Sequence, residues 1–560
     1  MSEGTAIEAA GLSLNVQGEH GLKTLLSDVH LRVPAGSFVA VIGASGCGKS
    51  TLLKVLAGIQ RPSTGNVLLS GYPVEHLRER LPLAVGYLPQ FGAFHPDLTV
   101  EENLQNAVAL RLPRSVGAQV RQKWVRHIVE VARIEALLQQ PYRTLSGGQM
   151  RRMALTEELI GDPAFLFLDE LTSGLDAFSD LEMMLWLQEL AHNAGKTVVL
   201  VTHATYHLNY CDTIVFLHQG RLITHGSYDR ILAHHGVSSI TELFALAQSG
   251  SDTLIPAEPS PSEFKSAAPQ ALKTAPPPSG IVQFPTLLVR QWKLFVRDRG
   301  QLWLHLALIL TFPLLVAVFA TKGLPQVRNQ ALALETNILL TLQDQLLFLK
   351  ESFQSASLIS GLAMFQVILL TLIGANNGAR EIAKEREVLQ KERRAGLSPL
   401  AYVTTKFLQL CALCLVQAFW MAWFVKIMCG FPGSLVSQFG ILFATILAMS
   451  TTCLAISAGA PSPERASLLA IYLVGFQLPL SGAALALPDW LSSICRPFIT
   501  AYWGWSGYLQ TFAATRHFDI VKQSRDTFIG GYELSLGILG IHVFFCLLLA
   551  WFFVHKARRV

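Results

Sequence analysis

The chain has 560 residues, 51% of them hydrophobic and only 15% charged, with a formal net charge of +5. Soluble domains carry roughly 25% charged residues, so the deficit points to lipid exposure and sets aside a purely soluble protein. The length excludes a single ordinary core. The small basic excess is no nucleic-acid footprint, and no nucleic-acid partner is expected.

The eight cysteines lie mostly in apolar runs or beside a glycine loop, where a thiol is a small packing residue rather than part of a disulfide framework. The opening "MSEGTAIEAAGLSLNVQ" lacks a basic region followed by an apolar core. The N-terminus is therefore expected in the cytoplasm.

Residues 1–247 read as an α/β domain. Short apolar runs, "FVAVIG", "FLFLDE" and "TVVLVTH", alternate with helix-like segments. That rhythm predicts a largely parallel sheet covered by helices. Residues 248–284 are rich in Pro, Ser and Ala and read as a linker. The remainder, 285–560, reads as a membrane domain.

That domain opens with "FPTLLVRQWKLFVRDRG", 284–300, an expected amphipathic helix at the membrane surface. Six apolar stretches follow at about 301–321, 355–377, 401–429, 435–459, 465–487 and 535–555. Each approaches the roughly 20 residues that cross the hydrocarbon as a helix. Arg380, Lys384, Arg386, Lys391, Arg393, Arg394 and Lys406 crowd the region between spans two and three, and the tail is "HKARRV". Both belong on the cytoplasmic side. Lys426 is expected to snorkel, and His542 to be neutral and bonded to a neighbouring helix. Residues 322–354 read as a helical hairpin or an extension of the adjoining spans. Trp490, Phe498, Tyr502, Trp503, Trp505 and Tyr508 form an outer aromatic group, expected to anchor at the interface or to line an outer gate.

The chemistry is concentrated in the first domain. "GASGCGKS" fits G-x-x-x-x-G-K-[ST] between a predicted strand and a predicted helix. There, backbone N–H groups and a helix N-terminus can meet phosphate. Gly43, Ala44, Ser45, Gly46, Cys47, Gly48, Lys49, Ser50 and Thr51 make up this cradle. Lys49 would reach the β- and γ-phosphates and Ser50 would hold Mg²⁺. "FLFLDE" ends in Asp169, placed to hold Mg²⁺ directly or through water. Glu170 follows it, placed to polarise an attacking water. "TLSGGQMRR" sets paired glycines before a helix, again offering an N-terminus to phosphate.

"LSGGQ" about 20 residues before "LFLDE" resembles the signature of ABC-type ATPases. The resemblance covers the first domain and implies an α/β P-loop ATPase with a RecA-like core and a helical subdomain, binding ATP and Mg²⁺. Gln90 in "YLPQ" resembles the Q-loop residue that senses Mg²⁺. Asp176 in "SGLD" resembles the D-loop. His203 in "VLVTHAT" resembles the switch histidine on the γ-phosphate. The signature residues Ser146, Gly147, Gly148 and Gln149 would meet ATP held by a second subunit. A single copy of each motif therefore implies a dimer, with itself or with a related half-transporter.

The order of ATPase first and all-α six-span membrane domain second is similar to the G-type, or White, half-transporters with an ABC-2-type membrane domain. "EREVLQKERRAGLSPLAYVTTK" resembles their coupling region. Leu171 stands where relatives usually have proline. His20 falls near the adenine-stacking position, and Ala483 and Ala484 fall where some relatives place gate leucines. The resemblance implies an ATP-driven exporter, multi-pass in a bacterial cytoplasmic membrane with its ATPase inside. It would contact membrane lipids and move an unidentified amphipathic or lipid-like substrate. Import, and a mechanical or regulatory module that moves no solute, remain as alternatives.

Overall fold

The structure is a computed structural model. It describes residues 5–18, 21–90, 92–248, 276–320, 324, 338–482, 487–524 and 527–557. His20, Ala483, Ala484 and the bulk of the 248–284 stretch lie outside the described residues. Contacts divide the chain into two compact units. One comprises Met1–Thr286, Glu387–Ser398 and Ala557–Val560; the other comprises Leu287–Arg386 and Pro399–Lys556.

In the first unit, the strands among the described residues are β1 (Thr5–Gly18), β2 (Gly21–Pro34), β3 (Phe38–Ile42), β4 (Thr64–Leu69), β5 (Tyr72–Pro73), β6 (Val85–Leu88), β7 (Phe165–Asp169), β8 (Thr197–Val201), β9 (Thr213–His218) and β10 (Arg221–Gly226). β2-β1-β4-β5 form an antiparallel sheet. The larger sheet runs β10-β9-β3-β8-β7-β6, and all of it except the β9–β10 pair is parallel.

Each parallel strand feeds two cores. Phe38, Ala40 and Ile42 of β3 join Leu166, Leu168, Val198 and Leu200 on one face. Val39 and Val41 join Phe165, Phe167, Val199 and Val201 on the other. A strand covered on both sides needs an unbroken apolar run, which is why "FVAVI" and "FLFL" carry no polar residue. The expected α/β architecture is borne out.

The second unit is helical. Among the described residues five helices are long and apolar enough to cross a membrane, by length and composition. Helices Arg299–Val318, Pro399–Cys429, Leu435–Gly459 and Tyr532–Lys556 lie where spans one, three, four and six are expected. The second is much longer than 355–377: one helix runs Ile338–Gly378, so residues 338–354 extend that span, while the rest of the 322–354 stretch lies, except for Leu324, outside the described residues. The fifth expected span corresponds to helix Pro463–Leu480, which is not among the five. Its first turn carries Glu464 and Arg465, and Gly482 at φ 72 follows its end. Eighteen residues rise only about 27 Å, short of a roughly 30 Å hydrocarbon core.

The aromatic group divides. Tyr502, Trp505 and Tyr508, on helix Thr500–Gln510, are fully buried, whereas Trp490 and Phe498 are exposed. Core packing, not interfacial anchoring, holds the first three. His542 Nε2 lies 2.6 Å from the carbonyl of Pro497. Lys426 reaches the carbonyls of Phe431 and Gly433.

Candidate functional site

Four neighbouring strands of the larger sheet, β3, β8, β7 and β6, each deliver chemistry at their carboxyl ends. In open α/β sheets ligands bind in this position, where the strand order reverses. β3 runs into Gly43 and the loop, β8 into Thr202 and His203, and β7 into Asp169 and Glu170. β6 ends two residues before Gln90.

The loop is shaped by backbone geometry that side chains rarely tolerate. Gly43 has φ 151, and a Cβ there would sit 2.2 Å from the Leu217 carbonyl oxygen. Gly46 has φ 77 and faces open space, with nothing within 4 Å. Gly48, also left-handed, precedes helix Lys49–Leu56, which carries Ser50 and Thr51 in its first turn. Lys49 folds its ammonium into the loop, donating to the carbonyls of Gly43 and Ala44 at 2.9 Å each. Ser45 is exposed. Cys47 is buried, and burial pushes its thiol up, in keeping with a packing role.

Ser50 Oγ donates to Asp169 Oδ1 at 2.9 Å. Asp169 is buried. That burial raises its carboxyl above the usual range, helped by the charge of Glu170 and opposed by the Ser50 bond. Glu170 adopts φ 51, an uncommon left-handed conformation for this residue type, while its N–H still bonds Val201 across the sheet. Its carboxylate is gripped from both sides. Gln90 Nε2 donates to Oε2 at 2.7 Å, and His203 Nε2 lies 3.1 Å from Oε1. Thr172 and Thr202 hydroxyls meet at 3.0 Å, joining the turns after β7 and β8. Leu171 is buried in the core.

The donor set suits Mg²⁺. A hydroxyl and a carboxylate meet at the end of the loop, and no group of three His, Cys, Asp or Glu side chains able to hold a metal by itself occurs among the described residues. Mg²⁺ is bound through one or two protein oxygens, substrate phosphates and water.

The signature residues and Asp176 bond locally, apart from this cluster. Ser146 caps helix Gly147–Leu159 through a capping box with Gln149, its amide donating to Gln149 Oε1 at 2.9 Å. A Cβ on Gly147 would meet nothing within 4 Å, and one on Gly148 only Leu175 Cδ2 at 3.3 Å. Asp176 caps helix Ala177–His192, accepting from the N–H groups of Phe178 and Ser179. The Ser179 amide bond leads in holding its carboxyl below the usual range.

A second polar cluster escapes motif reading. Arg111 Nη2 bonds both Glu157 Oε1 and Glu158 Oε1 at 3.1 Å. Lys391, on helix Arg386–Arg394, donates to Glu157 Oε2 at 2.8 Å and to the carbonyl of Ala93. Its ammonium also lies 3.7 Å from the centre of the Phe94 ring. The cluster thus joins the signature helix to the segment just after Gln90. Its signals in the sequence are the adjacent acids at 157–158 and the basic segment that holds Lys391, and neither says that they meet.

A family model described as ABC transporter matches residues 26–173. A model described as ABC-2 type transporter matches residues 282–508. A probable sulfate/thiosulfate import ATP-binding protein of Chlorella vulgaris is 33% identical over 233 residues, 41% of this chain and 97% of that protein. The chain belongs to the ABC transporter family. A Nod factor export ATP-binding protein of Ralstonia nicotianae is 32% identical over 41% of this ABC chain and 72% of its own length. An ABC transporter ATP-binding/permease protein of Mycobacterium tuberculosis is 28% identical over 527 residues, covering 90% of this chain. This chain spans 57% of that relative's length. With its ABC-2 type region and its apolar helices, this ABC protein is a multi-pass membrane protein.

Proposed function

We propose that the chain is an ATP-driven membrane exporter, a half-transporter of the G type that works as a dimer with itself or with a related chain. The observation that carries the reading is the convergence at four adjacent strand ends. The loop lysine, the Ser50–Asp169 pair and the Gln90–Glu170–His203 group all lie there, on a chain that continues into an ABC-2 type membrane region.

In this reading the Gly43–Thr51 loop cradles the ATP phosphates and Lys49 offsets their charge. Glu170 accepts a proton from the attacking water, and Gln90 and His203 fix its orientation. General-base catalysis of this kind contributes about 10²–10⁴-fold. Ser50 and Asp169 would hold Mg²⁺, with Gln90 beside them; the ion would neutralise phosphate charge. Ser146–Gln149 and Asp176 of a second copy supply the opposing face, most simply across a C₂ axis. Their local bonding leaves the exposed helix N-terminus at Gly147 to face another subunit.

The proposed location is a bacterial cytoplasmic membrane with the ATPase inside. The proposed cargo is amphipathic or lipid-like, in keeping with the apolar span surfaces. Proteoliposomes with outward-facing ATPase domains test this. Dilution-resistant, ATP-dependent accumulation of fluorescent lipids or amphipaths in the lumen is expected. ATP hydrolysis without movement of any probe would favour a regulatory module instead.

A further inference from the structure

Beside the Glu157 cluster lies a cavity of about 20 Å³, room for one water-sized particle. Five elements give it polar side chains. Arg78 comes from helix Val74–Arg80, Tyr87 from β6 and Arg111 from helix Val100–Arg111. Glu158 comes from the signature helix, and Lys391 and Arg394 from helix Arg386–Arg394. All of them belong to the ATPase unit.

Tyr87 is 6% exposed, and its buried hydroxyl finds no hydrogen-bond partner among the described residues. Leaving such a group unpaired is costly, and a particle in the cavity removes that cost. Burial pushes the hydroxyl's pKa up, so it is a protonated donor. Arg394 and Arg78, which line the same cavity, lie close enough to act on its oxygen electrostatically.

Charge and size select the occupant. Four cations on the wall, Arg78, Arg111, Lys391 and Arg394, face Glu158. Glu157 backs the wall by bonding Arg111 and Lys391, and Glu392 acts on Arg111. Against these three carboxylates the four cations leave one positive charge in excess, the amount that a single monovalent anion balances. Asp169 also reaches the Tyr87 hydroxyl, but Lys49 and Lys54 answer its charge. Burial holds the Arg394 guanidinium below its ordinary range, the mark of a cation whose surroundings under-compensate it. Guanidinium and ammonium groups only donate hydrogen bonds. Water would have to turn its own hydrogens away from them, whereas a halide accepts from every side. Phosphate and sulfate, with their several oxygens, are too large for the space.

We propose that this cavity binds one small monovalent anion of the halide class, held by the Tyr87 hydroxyl and the guanidinium groups of Arg78 and Arg394. Tyr87 precedes Gln90 by three residues. The ion therefore fastens helix Arg386–Arg394 to the strand that leads to Gln90.

Purified full-length protein, dialysed into sodium gluconate, supplies the test. Its thermal midpoint is followed as millimolar chloride, bromide or sulfate replaces gluconate at constant ionic strength. Chloride and bromide are expected to raise the midpoint along a saturating curve, and sulfate to leave it flat. Tyr87→Phe removes only a hydroxyl that has no protein partner, and is expected to need about tenfold more chloride for half the rise. Equal midpoints in chloride and gluconate overturn the site and leave the cavity to water. A rise that sulfate matches, or that Tyr87→Phe leaves unchanged, also overturns it, since the effect then lies elsewhere. Anomalous diffraction from crystals grown in bromide decides independently of any variant. One peak within hydrogen-bonding distance of the Tyr87 hydroxyl is expected; a cavity without one overturns the assignment.

Discussion

Lys391 donates to Glu157 across 234 positions of sequence, at 2.8 Å. The other oxygen of the same carboxylate takes Arg111. All three side chains are buried. Removing one member of such a group leaves charge uncompensated, which costs about 3–5 kcal/mol. Glu157→Gln leaves Lys391 with no carboxylate in this cluster and Arg111 with Glu158 alone, whereas Lys391→Met leaves Glu157 paired with Arg111. The glutamine variant is therefore expected to lower the thermal midpoint of the purified protein further than the methionine variant. The reverse order would mean that Glu157 is not the hub.

Glu170 is held at 2.7 Å by Gln90 and at 3.1 Å by His203. Glutamine at position 170 can keep both contacts while losing the proton acceptor. Glu170→Gln is expected to bind ATP normally and to lose turnover by about a hundredfold or more. His203→Ala removes only one of the two grips and is expected to fall between this variant and wild type. Single-turnover hydrolysis together with nucleotide binding separates the cases. Rapid hydrolysis by Glu170→Gln would remove this residue from the mechanism.

What could be read in advance depended on how local the information was. Lys49, Ser50, Asp169 and Glu170 sit in short strand-loop-helix phrases whose geometry follows from neighbouring residues. The two-sided burial of β3 and β7 is likewise written in their apolar runs. The grip on Glu170 joins residues after three different strands, and the Lys391–Glu157 pair is separated by 234 positions. No periodicity carries such contacts. Trp505 and Tyr508 misled for a related reason. Their amphipathic rings suit an interface, but packing around helix Thr500–Gln510 decided their burial. Polar residues interrupt the apolar run of the long helix before about 355, so the sequence pattern starts the span there. Leu, Gln, Lys and Glu are nevertheless good helix formers, and the helix continues through them.

Gly43 and Gly46 belong to the same loop but answer to different constraints. Alanine at Gly43 would press its Cβ to 2.2 Å from the Leu217 carbonyl oxygen, so the loop must move off β9. Alanine at Gly46 meets nothing within 4 Å and carries only the left-handed backbone cost, about 1–2 kcal/mol. Gly43→Ala is thus expected to lose stability and ATP binding together. Gly46→Ala is expected to fold, with a modest drop in thermal midpoint. Equal midpoints for the two would show that contact with β9 does not constrain the loop.

Histidine burial sets a prediction for acid stability. Burial holds the His225 imidazole, on β10, below its ordinary range, and His235 shifts the same way, by burial and then by the charge of His234. The unfolded chain takes up these protons near about pH 6.5, while the folded chain resists until lower pH. Between the two values the unfolded state binds more protons, so stability rises with pH in that window. It falls as pH drops below about 6.5. His225→Gln removes one of these groups. Between about pH 7.5 and about pH 5.5, either side of the ordinary histidine range, the variant is expected to lose less thermal midpoint than wild type. An identical decline in both proteins would place the acid sensitivity elsewhere than His225.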